Sequence, residues 1–417
     1  MKTRHNRKLI ALTLLALATF SQHLSIIFAQ GALTPPGAPA PTMKTLDQIE
    51  PRTPISSLPY SITNPGSYYL TASLTGIAGS DGIDITTNDV ILDLNGFTLH
   101  GAAGPGAGIN VVNPAKNLAI RNGTLDSWAG VGVVAVNAYN SQFEHLCSSA
   151  NLDGLYVGSN CVVLSCTACQ NRFIGISGGI NNIIKDSLAS ANSSGGIGVG
   201  NNSTVISCTA SGNASGFAAG NNCTLKDCNA GGNNGGFSTG NNCTLQDCNA
   251  SGNSTIGIYP GNNCAVRDCI ASGNGTYGIY VPNYNCQIIG DDCSGNNSHG
   301  IYILGNYNLV KDCTANANLN DGIYVPGYDC QLLGNTCSGN SAYGIYLLGN
   351  QNRVDGNNAA NNNSYGIGVA TNNVDNNITR NFAPGNILGG YYNFTGNNDY
   401  APLGSPNTST NPWQNFQ

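Results

Sequence analysis

Charge is scarce in this chain: only 9% of its 417 residues are Asp, Glu, Lys or Arg. So little charge beside 55 glycines excludes a helical bundle, whose helices need charged outer faces and few glycines. A 41% hydrophobic share spread in a regular pattern excludes a disordered tail. Past the first thirty residues no apolar run is long enough to cross a bilayer. Zinc motifs are missing too. Cys166-Thr167-Ala168-Cys169 is the sole C-x-x-C, with no second pair or His pair at metal spacing, and no metal site is expected.

The first thirty residues differ from the rest. Lys2, Arg4, Arg7 and Lys8 precede an uncharged run from Leu9 to Phe20, and a second apolar patch ends at Ala29. This pattern predicts a bacterial-type secretory leader over 1–29, with export to the extracellular space or cell surface. Its removal leaves 11 Lys and Arg against 21 Asp and Glu, a net charge of −10. A sparsely charged, acidic surface repels phosphate backbones, which excludes nucleic acid as a partner. No membrane insertion is expected once the leader is gone. Residues 30–43 read as a Pro/Ala-rich linker. Thr45 to Glu50 reads as one helical turn stopped by Pro51, within an N-terminal cap over 44–75.

What the chain has in abundance is rhythm. A glycine followed by a large apolar residue recurs at Gly154, Gly175, Gly196, Gly216, Gly236, Gly257, Gly278, Gly300, Gly322, Gly344 and Gly366, always 20 to 22 residues apart. A fixed period of that length marks a solenoid, whose units stack because none can bury its apolar face alone. Leucine-rich repeats need several leucines per unit, whereas these units place Cys, Ile and Ala inside. Calcium-binding nonapeptide rolls need G-G-x-G-x-D, which does not occur.

Within each unit three short apolar stretches are separated by Gly-Asn-Asn and Ser-Gly-Asn. Gly and Asn tolerate the left-handed backbone that sharp corners demand. The expected fold is all-β: a right-handed parallel three-sheet solenoid of about fifteen coils over 76–390. A C-terminal cap is expected over 391–417. Sixteen cysteines fall in matching positions, such as Cys223/Cys228, Cys243/Cys248 and Cys264/Cys269. They read as columns of buried free thiols, although strand spacing also admits rung-to-rung disulfides.

Several stretches carry a family likeness: Met43–Pro54, Pro65–Leu70, Asp89–Gly96, Ile120–Thr124 and Asn411–Trp413. Through them the chain resembles the right-handed parallel β-helix proteins, the superfamily that includes pectate lyases and polygalacturonases. More closely it is similar to secreted bacterial β-helix repeat proteins of unassigned activity. The likeness spans nearly all of the chain after the leader, and it implies the fold without implying a chemistry.

The candidate site residues fall into two groups. Glycosidic hydrolysis needs two facing carboxylates, and Asp291-Asp292 imitates one polygalacturonase motif. The companion N-T-D and R-I-K motifs are missing. His299 and Asp321 each precede a landmark glycine in adjacent coils, which makes them the best candidate dyad. Asp186, Asp227, Asp247, Asp268 and Asp312 recur in register, and calcium is the one cofactor such columns would suit. Their bland reading is a set of paired surface charges.

The second group is aromatic. Tyr259, Tyr280, Tyr302, Tyr324 and Tyr346 follow Gly-Ile in five consecutive coils and should point outward, with Tyr284, Tyr307 and Tyr328 a few residues later and Tyr277, Tyr343 and Tyr365 just before the glycine. Flat rings with hydroxyl tips suit sugars, so the favoured reading is a polysaccharide or cell-surface glycan partner. A polysaccharide lyase or glycoside hydrolase acting on acidic glycans is the alternative. A purely structural rod, in which the tyrosines merely shield the sheet, is the third reading.

Overall fold

The computed structural model describes residues 51–393, 397–404 and 411–417. The expected leader, linker and helical turn lie outside them. No helix occurs among the described residues, and the strands pair in parallel, each with its equivalent one coil later.

Each coil has three faces. On the first, Thr204–Ile206, Thr224–Lys226, Thr244–Gln246 and Ala265–Arg267 pair in succession, with Val205, Leu225, Leu245 and Val266 inward. The second holds Thr167–Cys169, Leu188–Ser190 and Thr209–Ser211, then thins to single bridges at Asn229, Asn249, Ile270 and Asp292. On the third, Ile258, Ile279, Ile301, Ile323 and Ile345 lie in register, each fully buried. In the early coils Ala119–Asp126 and Gln142–Ser149 run through the corner between the first two faces, which bonds them into one bent sheet. The three faces are therefore not three separate sheets.

The corners use left-handed backbone, as the composition requires. Asn202, Asn222, Asn242 and Asn263 have φ of 55–58°. The recurring Asp186, Asp227, Asp247, Asp268 and Asp312 have φ of 51–54°. Asp and Asn adopt this conformation more readily than other side chains, so the Asp column has a backbone cause. Its cations are neighbours in the same coil: Lys185 Nζ lies 3.5 Å from Asp186 and Lys311 Nζ 3.6 Å from Asp312.

Inside the corners run files of polar side chains that the apolar pattern does not announce. Asn151, Asn171, Asn192, Asn213, Asn233, Asn253, Asn274, Asn296, Asn318, Asn340 and Asn362 are all buried. Each backbone N–H in this file donates to the amide oxygen one coil on, as at Asn253 to Asn274 (3.0 Å) and Asn274 to Asn296 (2.9 Å). This file explains the landmark glycines. A Cβ on Gly278 would lie 2.8 Å from the Asn296 amide and 2.6 Å from the Gly300 carbonyl.

A second file holds Cys166, Ser187, Cys208, Cys228, Cys248, Cys269, Asp291, Cys313, Asn335, Asn357 and Asn381. The third includes Ser203, Cys223, Cys243 and Cys264, where backbone N–H groups donate to the next thiol sulfur at 3.3–3.5 Å. All sixteen cysteines are free, and all but Cys147 and Cys169 are buried.

The ends continue the same construction. Thr53–Ile55 already pairs with Gly66–Leu70 inside the segment expected as a cap. At the other end Asp399–Tyr400 extends the first face, and Asn415 accepts from the Asn381 N–H at 2.9 Å.

Candidate functional site

The third face of the C-terminal half carries the tyrosines outward because strand side chains alternate. Burying Ile279, Ile301, Ile323 and Ile345 points the next residue to solvent. Tyr259, Tyr280, Tyr302, Tyr324 and Tyr346 form one file, with successive ring centroids 5.6, 5.0, 5.0 and 6.1 Å apart. Tyr259 is 37% exposed and the others are half-buried. Burial pushes the phenols of Tyr280, Tyr302, Tyr324 and Tyr346 above the ordinary tyrosine value, which keeps them neutral hydrogen-bonding groups.

A parallel file precedes the landmark glycines: Tyr277, His299, Asp321, Tyr343 and Tyr365. Its rings interleave with the first. Tyr277 meets Tyr302 edge-on at 5.1 Å, His299 stacks on Tyr324 at 4.4 Å, and Tyr343 stacks on Tyr346 at 4.3 Å. Tyr392 extends the surface, 4.8 Å from Tyr365. Its place was hidden in the sequence because residues after 390 leave the period. Tyr277, Tyr343 and Tyr365 belong to the outward surface the sequence leads one to expect, and the His299 and Tyr392 rings widen it.

The second expected set does not form one file. Tyr284 and Tyr328 occupy the same corner position, each donating its N–H to the asparagine one coil back, Asn262 and Asn306. Tyr307 sits one position further on, in register with Asn285 and Asp329, at φ 59°. Its loop is as long as theirs, five residues from the Gly-Ile-Tyr tyrosine to the left-handed corner residue, but it carries tyrosine at the corner residue itself and Asn306 at the position of Tyr284 and Tyr328. All three rings are about half exposed, and Tyr307 still meets Tyr328 edge-on at 6.4 Å. They form a ragged rim beside the aromatic surface.

His299 and Asp321 do meet: Nδ1 lies 3.3 Å from Oδ2, with side chains only 9% and 4% exposed. They floor a hollow of about 240 Å³ walled by Tyr324, Tyr343 and Tyr346. Asp321 also has a structural task. Its Oδ1 accepts the Tyr343 N–H at 2.9 Å, as Asp153 accepts from Ile174 (2.7 Å) and Asp81 from Ala107 (2.6 Å). Each of these aspartates immediately precedes a glycine (Gly82, Gly154 or Gly322) and ties its coil to the next.

Asp291 and Asp292 are not a surface pair. Alternation sends Asp291 inward, 1% exposed, where Oδ1 accepts the Cys269 N–H at 2.7 Å. Asp292 points out from the second face toward the Ser294 hydroxyl. Neither carboxylate reaches the hollow beside His299. Among the described residues, no three His, Cys, Asp or Glu side chains are grouped to hold a metal ion.

Comparison with known proteins bears on the fold. The sequence profile described as "Right handed beta helix region" matches residues 236–383. No curated protein matches the chain. Among solved structures, the A-module of a mannuronan C-5 epimerase from Azotobacter vinelandii is 14% identical, covering 80% of this chain and 90% of its own, with a TM-score of 0.39. A double mutant of a periplasmic alginate epimerase is 12% identical over 79% of each chain, with a TM-score of 0.43. The Dettilon tailspike protein is 12% identical, covering 78% of this chain and 62% of its own, with a TM-score of 0.35.

Proposed function

From a right-handed parallel β-helix protein with one continuous aromatic face, we propose a role in binding polysaccharide lengthwise along that face, outside the cell. The observation that carries the reading is the Tyr259–Tyr346 file, one ring per coil at centroid steps of 5.0 to 6.1 Å. A pyranose advances a glycan by about the distance between neighbouring coils, so successive sugars meet successive rings. Phenol rims offer hydrogen bonds to sugar hydroxyls while the ring faces cover C–H surface.

The test is retention of the mature protein on immobilised glycans, with Tyr302→Ala and Tyr324→Ala as variants. Each removes a central ring, and a loss of about tenfold in affinity is expected from one hot-spot side chain. Undiminished retention by a folded double variant would remove this reading, and failure to bind any glycan would leave the structural rod.

The hollow at His299 and Asp321 favours a second reading, in which a His–carboxylate pair withdraws a proton from a bound sugar. It predicts release of unsaturated or reducing ends that His299→Ala abolishes. Asp321→Asn does not separate the readings, because that residue also ties two coils together.

A further inference from the structure

The cations of this rod are segregated by face. After Arg172 the chain holds only Lys185, Lys226, Arg267, Lys311, Arg353 and Arg380. The first five lie on first-face strands and Arg380 follows the strand Asn377–Thr379. The third-face strands from Ile176–Gly178 to Tyr365–Val369 carry no Asp, Glu, Lys or Arg at all. The charge set among the rings is the buried His299–Asp321 pair, engaged with itself and with the Tyr343 N–H.

We infer that the aromatic face selects neutral polysaccharide and rejects polyuronates, an inference that rests on the glycan-binding reading above. A uronate carboxylate laid against these rings would lose water without gaining a cation, and an unpaired anion in a partly dry site is costly. A neutral sugar has no such charge to compensate, and its hydroxyls find phenol groups that both donate and accept. The first face is a poor substitute: Lys185, Lys311 and Arg353 are each paired with an aspartate, which leaves Lys226 and Arg267, two coils apart, and Arg267 donates to the Gln287 side chain. The five-ring file spans roughly 20 Å, so affinity should climb with oligosaccharide length up to about five sugars, one per coil.

The experiment is affinity electrophoresis of the mature protein through gels holding mixed-linkage β-glucan, galactomannan, polygalacturonate or alginate, at low and high salt. At least one neutral polymer should retard it at about tenfold lower concentration than either polyuronate, with little change on adding salt. Tyr302→Ala should weaken that retardation about tenfold. Tyrosine-dependent retardation by a polyuronate that equals or exceeds that by the neutral gels overturns the inference and leaves the glycan reading standing. Retardation in none of the gels overturns the glycan reading itself. A second variant, Tyr259→Lys at the exposed end of the file, should gain affinity for polyuronate at low salt only; no gain would refute the charge argument.

Discussion

The buried carboxyl of Asp291 should make the middle of the solenoid lose stability as pH rises. The asparagines of its file each offer an acceptor to the preceding coil and a donor in return. Asn335 accepts the Cys313 N–H and donates its amide to the Val310 carbonyl; Asn357 repeats this with Asn335 and Leu332. Cys313 donates its thiol to the Ile288 carbonyl at 3.4 Å. An ionised Asp291 can only accept. Its Oδ1 takes the Cys269 N–H, while Oδ2 is buried without a partner. Burial, assisted by the charge of Asp268, pushes this carboxyl up to about 7 from an ordinary value of 3.8. Protonated, Oδ2 becomes the missing donor.

Because the folded value lies above the unfolded one, the stabilisation is complete below about pH 4 and is lost as pH rises through about 7. At about 1.4 kcal/mol per decade of pH, the loss approaches ~4 kcal/mol at pH 8. Asp291→Asn supplies the donor at every pH. Chemical denaturation of both proteins, with hydrogen exchange at the Cys269 amide as a local probe, should give curves that meet near pH 4 and separate by several kcal/mol at pH 8. Parallel curves, or a variant less stable at pH 8, would refute the reasoning.

Two further outcomes follow from the interior files. Asn274→Ala strips the acceptor from both the N–H and the side-chain amide of Asn253. It should cost about 2–4 kcal/mol; a loss below about 0.5 kcal/mol in denaturant unfolding would show the file to be incidental. In the native protein a thiol reagent should modify Cys147 and Cys169 first, the two partly exposed cysteines. Burial pushes the Cys166 and Cys313 thiols up to about 12, which keeps them unreactive. Rapid labelling of Cys243 or Cys248 on mass spectrometry would contradict the packing.

The repeat was legible because one coil consumes a nearly constant number of residues and parallel stacking superposes equivalents. The file of Ile258, Ile279 and Ile301, the left-handed asparagine corners and the outward Tyr280, Tyr302 and Tyr324 all follow from period and alternation. Asp291 was misleading because adjacency in sequence conceals alternation: two neighbouring carboxylates on one strand face opposite ways. Tyr307 was misleading because it stands five residues after its Gly-Ile-Tyr tyrosine where Tyr284 and Tyr328 stand four after theirs, and in loops of equal length that single step moves it to the next corner position.

The sequence by itself determined the shape: a glycine-paced, low-charge chain can bury its apolar residues only by stacking on itself. Tertiary structure alone decided which polar groups went inside and which aromatics met. The landmark glycines exist to admit the asparagine file, and His299 enters the tyrosine surface because its neighbours stand one coil away, not one residue. Contacts between coils depend on three-dimensional register to within a single residue, and a repeating pattern specifies that register only where its loops keep equal length.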